Sequence, residues 1–403
     1  MFENAPKAHF HLMAKPSSFQ CNIKCEYCFY LEKEYTIEQD VRFMNEDTLR
    51  NYVRNYIQSS AGQRVEFAWQ GGEPTLLGLD FFKQAVRFQQ EFANGKTITN
   101  AFQTNGIALN RQWAEFFKTH QFLIGISIDG LSEVHNKYRI SVNGQPTFER
   151  VKRAVDLLKD YGVEFNTLTV INDQNWHKGR ETYLALKELG STFMQFIPIV
   201  ETGCGTAPFA KKEVKPTAFS VPPQGYGHFL LEVFKEWVQQ DVGKIYVLEF
   251  DNLLGKWLGY PSSSCVHQET CGESLIVEAN GDVYSCDHFV YPAYKVGNLN
   301  EQPLGEIVHS QPQRNFGQQK RTALTQPCWA CDVRPFCHGG CPKHRMISLP
   351  NEANKHNYLC QSYQLFFRKT ASFMRKMRDI IRSGGSAGDI VNFIGDKDAN
   401  KNI

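Results

Sequence analysis

The chain has 403 residues, 42% of them hydrophobic, which is enough for one large domain and a smaller one with a sizeable core. Its 44 Lys and Arg against 42 Asp and Glu leave a formal net charge of +2, without the basic excess of a dedicated nucleic-acid binder. Met1–Phe10 holds no apolar core of a secretory signal, and no apolar run is long enough to cross a bilayer, so the expectation is a cytoplasmic protein that engages neither nucleic acid nor membrane.

Up to about residue 200, short β-rich runs alternate with helical patterns. Strands are predicted at Phe10–Met13, Val65–Trp69, Ile98–Gln103, Leu123–Ile128, Val163–Val170 and Phe193–Pro198. Between them, Leu49, Tyr52, Val53, Tyr56 and Ile57 share one helix face, with Asn45 as N-cap. Phe148, Val151, Ala154, Val155 and Leu158 form another face, and Gly162 can end that helix. Strands alternating with helices imply a parallel sheet with right-handed crossovers. Six such units suit a partial (β/α)6 TIM-like barrel, an α/β fold whose functional side chains gather at the C-terminal ends of the strands. Thr202–Gly227 lacks periodicity and reads as a loop or insertion. A helix around His228–Gln240 follows, then a turn-rich, Cys-rich region, then an amphipathic helix over Tyr363–Ile381 carrying Phe366, Phe373, Met374 and Met377. From Ser383 the chain is polar. The expected division is a barrel over 1–244, a Cys-rich domain over 245–370, and a C-terminal helix and tail over 371–403.

Twelve cysteines carry the chemistry. They fall into three clumps, Cys21–Cys28, Cys265–Cys286 and Cys328–Cys360, and Cys204 stands apart. Without a secretory signal, metal or redox chemistry explains such grouping better than disulfides do. Cys21, Cys25 and Cys28 form C-x3-C-x2-C on the loop after the first strand. Three thiolates this close can each hold one iron of a cubic cluster and leave one iron open for a ligand. The blander alternative is a zinc loop short of one ligand, or plain thiols. The next strand ends in Trp69-Gln70-Gly71-Gly72-Glu73-Pro74, where glycines permit close backbone approach to a ligand. By itself that run is also an ordinary turn after a strand. Gln103–Gly106 and Ser127–Gly130 end the two strands after it and put polar side chains on the same rim.

The cysteine triplet, with aromatic Tyr27 before its third Cys, resembles the radical S-adenosylmethionine (SAM) superfamily. The resemblance implies a [4Fe–4S] cluster whose open iron is chelated by SAM, and cleavage of SAM to a 5′-deoxyadenosyl radical. It assigns Gly71, Gly72 and Glu73 to the motif that contacts the methionine part of SAM, and matches Ser127 and Arg139 to further SAM contacts. Either of the last two can equally be a loop hydrogen-bonder. Downstream, Cys271-x9-Gly281-x4-Cys286, then Cys328-x2-Cys331-x5-Cys337-x3-Cys341, then Cys360, resemble the seven-cysteine SPASM domain, with Cys265 as an eighth thiolate. This implies two further [4Fe–4S] clusters. Auxiliary cluster I would take Cys265, Cys271, Cys286 and Cys341, and auxiliary cluster II Cys328, Cys331, Cys337 and Cys360. The pairing is carried over from the resemblance, since spacing alone does not give it, and two four-cysteine zinc sites are the rival. His288, His338 and His344 read as hydrogen-bonders, because thiolates already fill both sites. Cys204 reads as an ordinary thiol.

From Phe10 to about Tyr363 the chain is similar to the anaerobic sulfatase-maturating enzymes. The matching runs are Cys28–Tyr30, Trp69–Pro74, Gln195–Pro198, Cys286–His288 and Gly339–Lys343. The likeness implies oxidation of a Cys or Ser on an unfolded or nascent sulfatase polypeptide to Cα-formylglycine. Asp287 matches the base, with Tyr30 and Gln70 beside the substrate side chain. A low-potential donor such as flavodoxin or ferredoxin would supply the electron. The bland reading of Asp287 is a carboxylate capping a turn. The runner-up activity is another SPASM-type modification, a thioether or carbon–carbon crosslink. Only about 20 residues precede Cys21, too few for the recognition domain such enzymes often carry. A non-catalytic iron–sulfur or zinc regulator is the third class, and the open three-cysteine site argues against it.

Overall fold

The computed structural model describes residues 6–35, 37, 41–202 and 215–393. Cys204 lies outside the described residues, as does 203–214 of the predicted loop. The strands in chain order are β1 (His11–Lys15), β2 (Ile23–Cys25), β3 (Arg64–Trp69), β4 (Thr97–Thr104), β5 (Leu123–Ser127), β6 (Arg139–Ser141), β7 (Phe165–Ile171), β8 (Phe193–Pro198), β9 (Tyr246–Val247), β10 (Ser274–Glu278), β11 (Asp282–Tyr284), β12 (Lys295–Asn298), β13 (Arg345–Ile347) and β14 (His356–Asn357). All six predicted strands are present, each within a few residues of its expected bounds.

The chain forms two compact units. The first comprises Met1–Ser127, Tyr138–Phe165 and Cys271–Gln319. Its sheet runs β12-β11-β10-β1-β3-β4-β5, parallel from β10 to β5 and antiparallel through β11 and β12. Register is tight: Lys15 lies opposite Glu278, Ala14 opposite Trp69, Trp69 opposite Phe102, and Phe102 opposite Ile124. The C-terminal ends of these strands therefore share one edge, and Glu278, Lys15, Gln70, Thr104 and Ser127 stand along it. Strand β10 comes from the Cys-rich segment. The alternation of strands and helices gave no sign that it would extend the sheet beyond β1.

Helices Glu46–Ser59, Leu79–Phe92, Arg111–Thr119 and Phe148–Asp160 belong to this unit. Asn45 caps the first, its Oδ1 accepting the Thr48 N–H at 2.8 Å. The face predicted from Leu49, Tyr52, Val53, Tyr56 and Ile57 is buried. Its rings meet those of the sheet and the next helices: Tyr52–Phe67 at 5.4 Å, Trp69–Phe82 at 5.5 Å, Phe82–Phe102 at 4.9 Å and Phe102–Phe117 at 5.1 Å. Such pairs add roughly 0.5–1.5 kcal/mol each beyond their buried area, so this core is a stiff base for the strand ends. The helix Phe148–Asp160 ends as expected at Gly162, whose φ of +62° suits glycine.

The second unit comprises Ile128–Lys137, Asn166–Thr270 and Lys320–Ile403. Strands β7, β8 and β9 pair in parallel, and β13 pairs antiparallel with β14. Phe234, Trp237, Phe250, Phe366 and Phe373 pack ring to ring between the helices Gly225–Gln240, Leu248–Leu258 and Cys360–Arg382. The predicted C-terminal helix thus begins three residues early and carries Cys360 at its start. Among the described residues no helix is long and apolar enough to cross a membrane.

Candidate active site

The Cys21–Cys28 loop belongs to the first unit and is braced by the ends of β3 and β4. Gly72 packs so closely on it that an added Cβ would stand 2.0 Å from the Gln20 carbonyl oxygen. The Gly72 N–H donates to the Ser18 carbonyl at 2.7 Å, and the Glu73 N–H to that of Gln20 at 2.8 Å. The Glu73 carboxylate is fully buried. It accepts from the Thr75 hydroxyl (2.7 Å) and N–H (3.1 Å), the Thr104 hydroxyl (2.7 Å) and the Asn105 N–H (2.8 Å). Burial pushes its carboxyl upward against those four donors. Glu73 thereby ties β3 to β4. Asn105 completes the brace, its side-chain amide donating to Asn22 Oδ1 at 2.7 Å and lying 3.7 Å from Cys21 Sγ.

Strand β2 pairs antiparallel with β6, placing Cys25 opposite Arg139. The Arg139 guanidinium, a predicted SAM contact, lies 5.4 Å from the centre of the Tyr27 ring of the cysteine motif. Tyr27 also meets the edge of Tyr138 at 5.5 Å. Ser127, another predicted SAM contact, ends β5 and is half-buried. Burial pushes the Cys21 thiol up to about 12, and the charges of Glu73 and Cys28 add to it. A thiolate there needs a cation on it, as iron supplies, so the donor set fits a bound cluster. Cys28, with Met13, Phe19 and Phe29, lies against an apolar cluster of Tyr30, Ile37, Ile276, Tyr284 and Val290.

The three residues expected to face the substrate come together around a fourth. Lys15 Nζ lies 2.5 Å from Asp287 Oδ1 and donates to Gln70 Oε1 at 2.5 Å. It also stands 4.6 Å from the centre of the Tyr30 ring. Gln70 passes a hydrogen bond on to Gln103, and Tyr30 donates its hydroxyl to Glu278. Tyr30 is held well above the usual tyrosine range by burial and by the charges of Glu278 and Asp287. Glu278, also buried, is itself shifted upward by burial. Sequence reasoning missed Lys15 and Glu278. The available signal was a charged residue closing an otherwise apolar strand: HLMAK for β1 and SLIVE for β10.

Asp287 opens the short 3-10 turn Asp287–Phe289 directly after Cys286, and the His288 ring meets Phe29 edge-on at 5.5 Å. Cys271, in the same unit, donates its N–H to the Gly317 carbonyl at 3.1 Å, and a Cβ on Gly317 would stand 2.4 Å from the Cys271 oxygen. In the second unit, Cys328, Cys331, Cys337 and Cys360 line one cavity with Val333, Gly339, His356 and Gln364. Burial and the neighbouring Cys360 push the Cys337 thiol up to about 12, with Cys328 and Cys331 adding smaller contributions. The other three thus crowd Cys337 with like charge, as ligands of one cationic body would without it. Among the described residues no three Cys, His, Asp or Glu side chains come together as one ion's ligands. Gln364 donates to Cys331 Sγ at 3.6 Å, and His356 Nδ1, unanticipated from sequence, lies 3.6 Å from Cys328 Sγ. Cys341 is raised by burial and by the charge of Cys265, whose carbonyl accepts from fully buried Lys320. Burial lowers His338 to about 4, which suits a neutral ring, and His344 is buried.

Residues 16–186 match the radical SAM superfamily and residues 265–332 match the SPASM iron–sulfur cluster-binding domain. The serine-type anaerobic sulfatase-maturating enzyme of Bacteroides thetaiotaomicron is 39% identical over 394 residues, 96% of this chain and 95% of that one. The cysteine-type enzyme of Clostridium perfringens is 34% identical over 363 residues, 88% and 95% of the two chains. A solved structure described as native anSMEcpe with bound AdoMet and Cp18Cys peptide superposes with a TM-score of 0.82 at 32% identity, covering 92% of this chain and 99% of that one.

Proposed function

The chain belongs to the anaerobic sulfatase-maturating enzymes of the radical SAM superfamily, and on that premise we propose that it oxidises a Cys or Ser residue of a sulfatase polypeptide to Cα-formylglycine. One observation carries the reading: Asp287, Tyr30 and Gln70 surround a single buried ammonium at neighbouring strand ends, next to the loop of Cys28 and directly after Cys286. Cys21, Cys25 and Cys28 would hold the SAM-binding [4Fe–4S] cluster, with Tyr27, Gly71, Gly72, Glu73, Ser127 and Arg139 around SAM. Cys265, Cys271, Cys286 and Cys341 would hold one auxiliary cluster, and Cys328, Cys331, Cys337 and Cys360 the other. When bound, these groups supply a carbon radical that takes a hydrogen atom from the target residue's Cβ, and a sink for the electron then released.

The chain's own residues do the rest. Asp287 accepts the thiol or hydroxyl proton of the target residue, and Tyr30 and Gln70 flank its side chain. Glu73 and Asn105 act on the cysteine loop, through the hydrogen bonds that hold it against β3 and β4. The apolar cluster around Tyr30 and Tyr284 keeps water from the Cys28 side. The same reading puts the enzyme in the cytoplasm, with an unfolded or nascent sulfatase segment as substrate and a low-potential donor of the flavodoxin or ferredoxin type. It divides the chain into a radical SAM part over 1–244, an auxiliary-cluster part over 245–370 and a C-terminal helix and tail over 371–403. The test is to reconstitute the protein anaerobically and incubate it with SAM, reductant and sulfatase-derived Cys and Ser peptides. Mass spectrometry then follows 5′-deoxyadenosine and the aldehyde. SAM cleavage without aldehyde on either peptide, or a crosslinked product instead, would overturn the assignment.

A further inference from the structure

Lys15 is the residue on which the proposed substrate side of the site converges, and no motif accounts for it. Its side chain is 1% exposed at the end of β1. An ammonium so placed is strongly disfavoured unless it is paired and hydrogen-bonded. The pairing here is specific. One Nζ, with three hydrogens to donate, reaches Asp287 Oδ1 and Gln70 Oε1, each at 2.5 Å, and lies over the Tyr30 ring. Gln70 then donates to Gln103, so a polar row crosses the ends of β1, β3 and β4. Asp287 keeps 23% of its side-chain exposure while Lys15 keeps almost none. A substrate can reach the carboxylate, and the ammonium sits behind it.

Packing does not require the charge. An unbranched apolar side chain at position 15 would lie equally well against Phe29 and Tyr30, and the carboxylate it would leave without a counter-charge, that of Asp287, keeps 23% of its side-chain exposure and can be solvated instead. The Asp287 carboxylate and the Gln70 amide are the groups that need it. Resting on the functional reading above, we propose that Lys15 is a positioning residue for the oxidation: it holds Asp287 and Gln70 in one arrangement facing the substrate, acting through them and not on the substrate itself.

The experiment uses full-length, anaerobically reconstituted enzyme and a sulfatase-derived Cys peptide. Lys15→Met keeps the length of the side chain and removes the ammonium. Iron content and 5′-deoxyadenosine formation should stay within about twofold of wild type, because the cysteine loop is braced by Gly72, Glu73 and Asn105 instead. Aldehyde formed per 5′-deoxyadenosine should fall about 10-fold or more, in kcat, while the peptide KM moves less than about threefold. The double variant Lys15→Met/Asp287→Asn should lose far less than the product of the two single losses, since residues acting as one unit are not additive. A wild-type ratio in Lys15→Met, or losses that multiply in the double variant, would overturn the proposal. If Lys15→Met fails to hold iron, Lys15→Gln is assayed by the same criteria. Loss of iron and of 5′-deoxyadenosine in both would make Lys15 a structural residue and end the proposal. A wild type that cleaves SAM but forms no aldehyde fails at the functional reading, a result separate from any of these, and the Lys15 proposal falls with it.

Discussion

Asp287 has two partners that decide what its substitution does: Cys286 before it in the chain and the Lys15 ammonium beside it. Asp287→Asn keeps the shape and removes the proton acceptor. On the proposed assignment the radical arises at the Cys21–Cys28 loop, so 5′-deoxyadenosine should still form, while aldehyde on a Cys or Ser peptide should fall by about 10²-fold or more. Mass spectrometry of both products decides it: near wild-type aldehyde would remove Asp287 from the mechanism, and loss of both products would make it a support of the fold. The substitution also leaves the buried ammonium without its counter-charge, so some loss of melting temperature should accompany it. A second residue-scale expectation concerns Glu249, in the second unit. Burial raises its carboxyl from 4.5 to about 8, against the Phe196 N–H that its Oε1 accepts at 3.2 Å. Because the folded value lies above the unfolded one, the folded state holds a proton that the unfolded state gives up between these two pH values. Stability therefore falls as pH rises from about 4.5 to 8, by on the order of 3 kcal/mol at pH 7. Glu249→Gln cannot ionise. Its melting temperature relative to wild type should climb across that window, and a difference flat with pH would mean that Glu249 is not buried in its neutral form.

At the scale of elements, the Gly71–Gly72 turn and the cysteine loop are one structure. A Cβ on Gly72 would stand 2.0 Å from the Gln20 oxygen and 2.8 Å from the Phe19 carbonyl carbon, both backbone atoms that cannot swing aside. Gly72→Ala must therefore displace the segment entering Cys21. About four of some twelve irons and most SAM cleavage should be lost, with the auxiliary-cluster absorbance retained. Iron analysis and 5′-deoxyadenosine assay check this, and a variant that keeps both would show that the loop tolerates the shift. The turn was legible beforehand because glycine pairs after strands have few physical causes, and the cysteine loops because thiolate spacing is a local property. The strands and the Asn45-capped helix were legible for the same reason: period and cap are written within one segment. The pairing of β10 with β1 was not. It joins segments far apart in the chain, and each is a five-residue strand with nothing local to name its neighbour. Lys15 and Glu278 followed that pairing into obscurity. A charged residue closing a strand reads as a solvated end until the register sets the two side by side among buried rings. His356 was hidden in the same way, since its approach to Cys328 depends on the β13–β14 pair.

For the whole molecule, metal content is the measure that binds these readings together. Eleven cysteines stand at cluster spacings, and three sets of ligands for four-iron clusters predict about twelve irons per chain after anaerobic reconstitution. Zinc in stoichiometric amount with little iron would sink the radical reading at once. The sets should also separate. The Cys21–Cys28 loop draws its bracing from β3 and β4 in the first unit. Cys328, Cys331, Cys337 and Cys360 line their own cavity in the second, with Gln364 and His356 at their sulfurs. Replacing Cys21, Cys25 and Cys28 by Ala should leave about eight irons and abolish 5′-deoxyadenosine. Replacing Cys328, Cys331 and Cys337 should likewise leave about eight, yet SAM cleavage should persist while aldehyde per 5′-deoxyadenosine falls, because the electron released from the substrate loses part of its route. The pair of triple variants is the informative comparison, since equal iron loss with opposite effects on SAM cleavage is what two independent cluster sites require. If 5′-deoxyadenosine survived in the first variant, the Cys21–Cys28 loop would not be where the radical arises. If both variants lost all their iron, the protein would load its metal as one cooperative unit, and the braces traced around each cysteine set would not be what holds it.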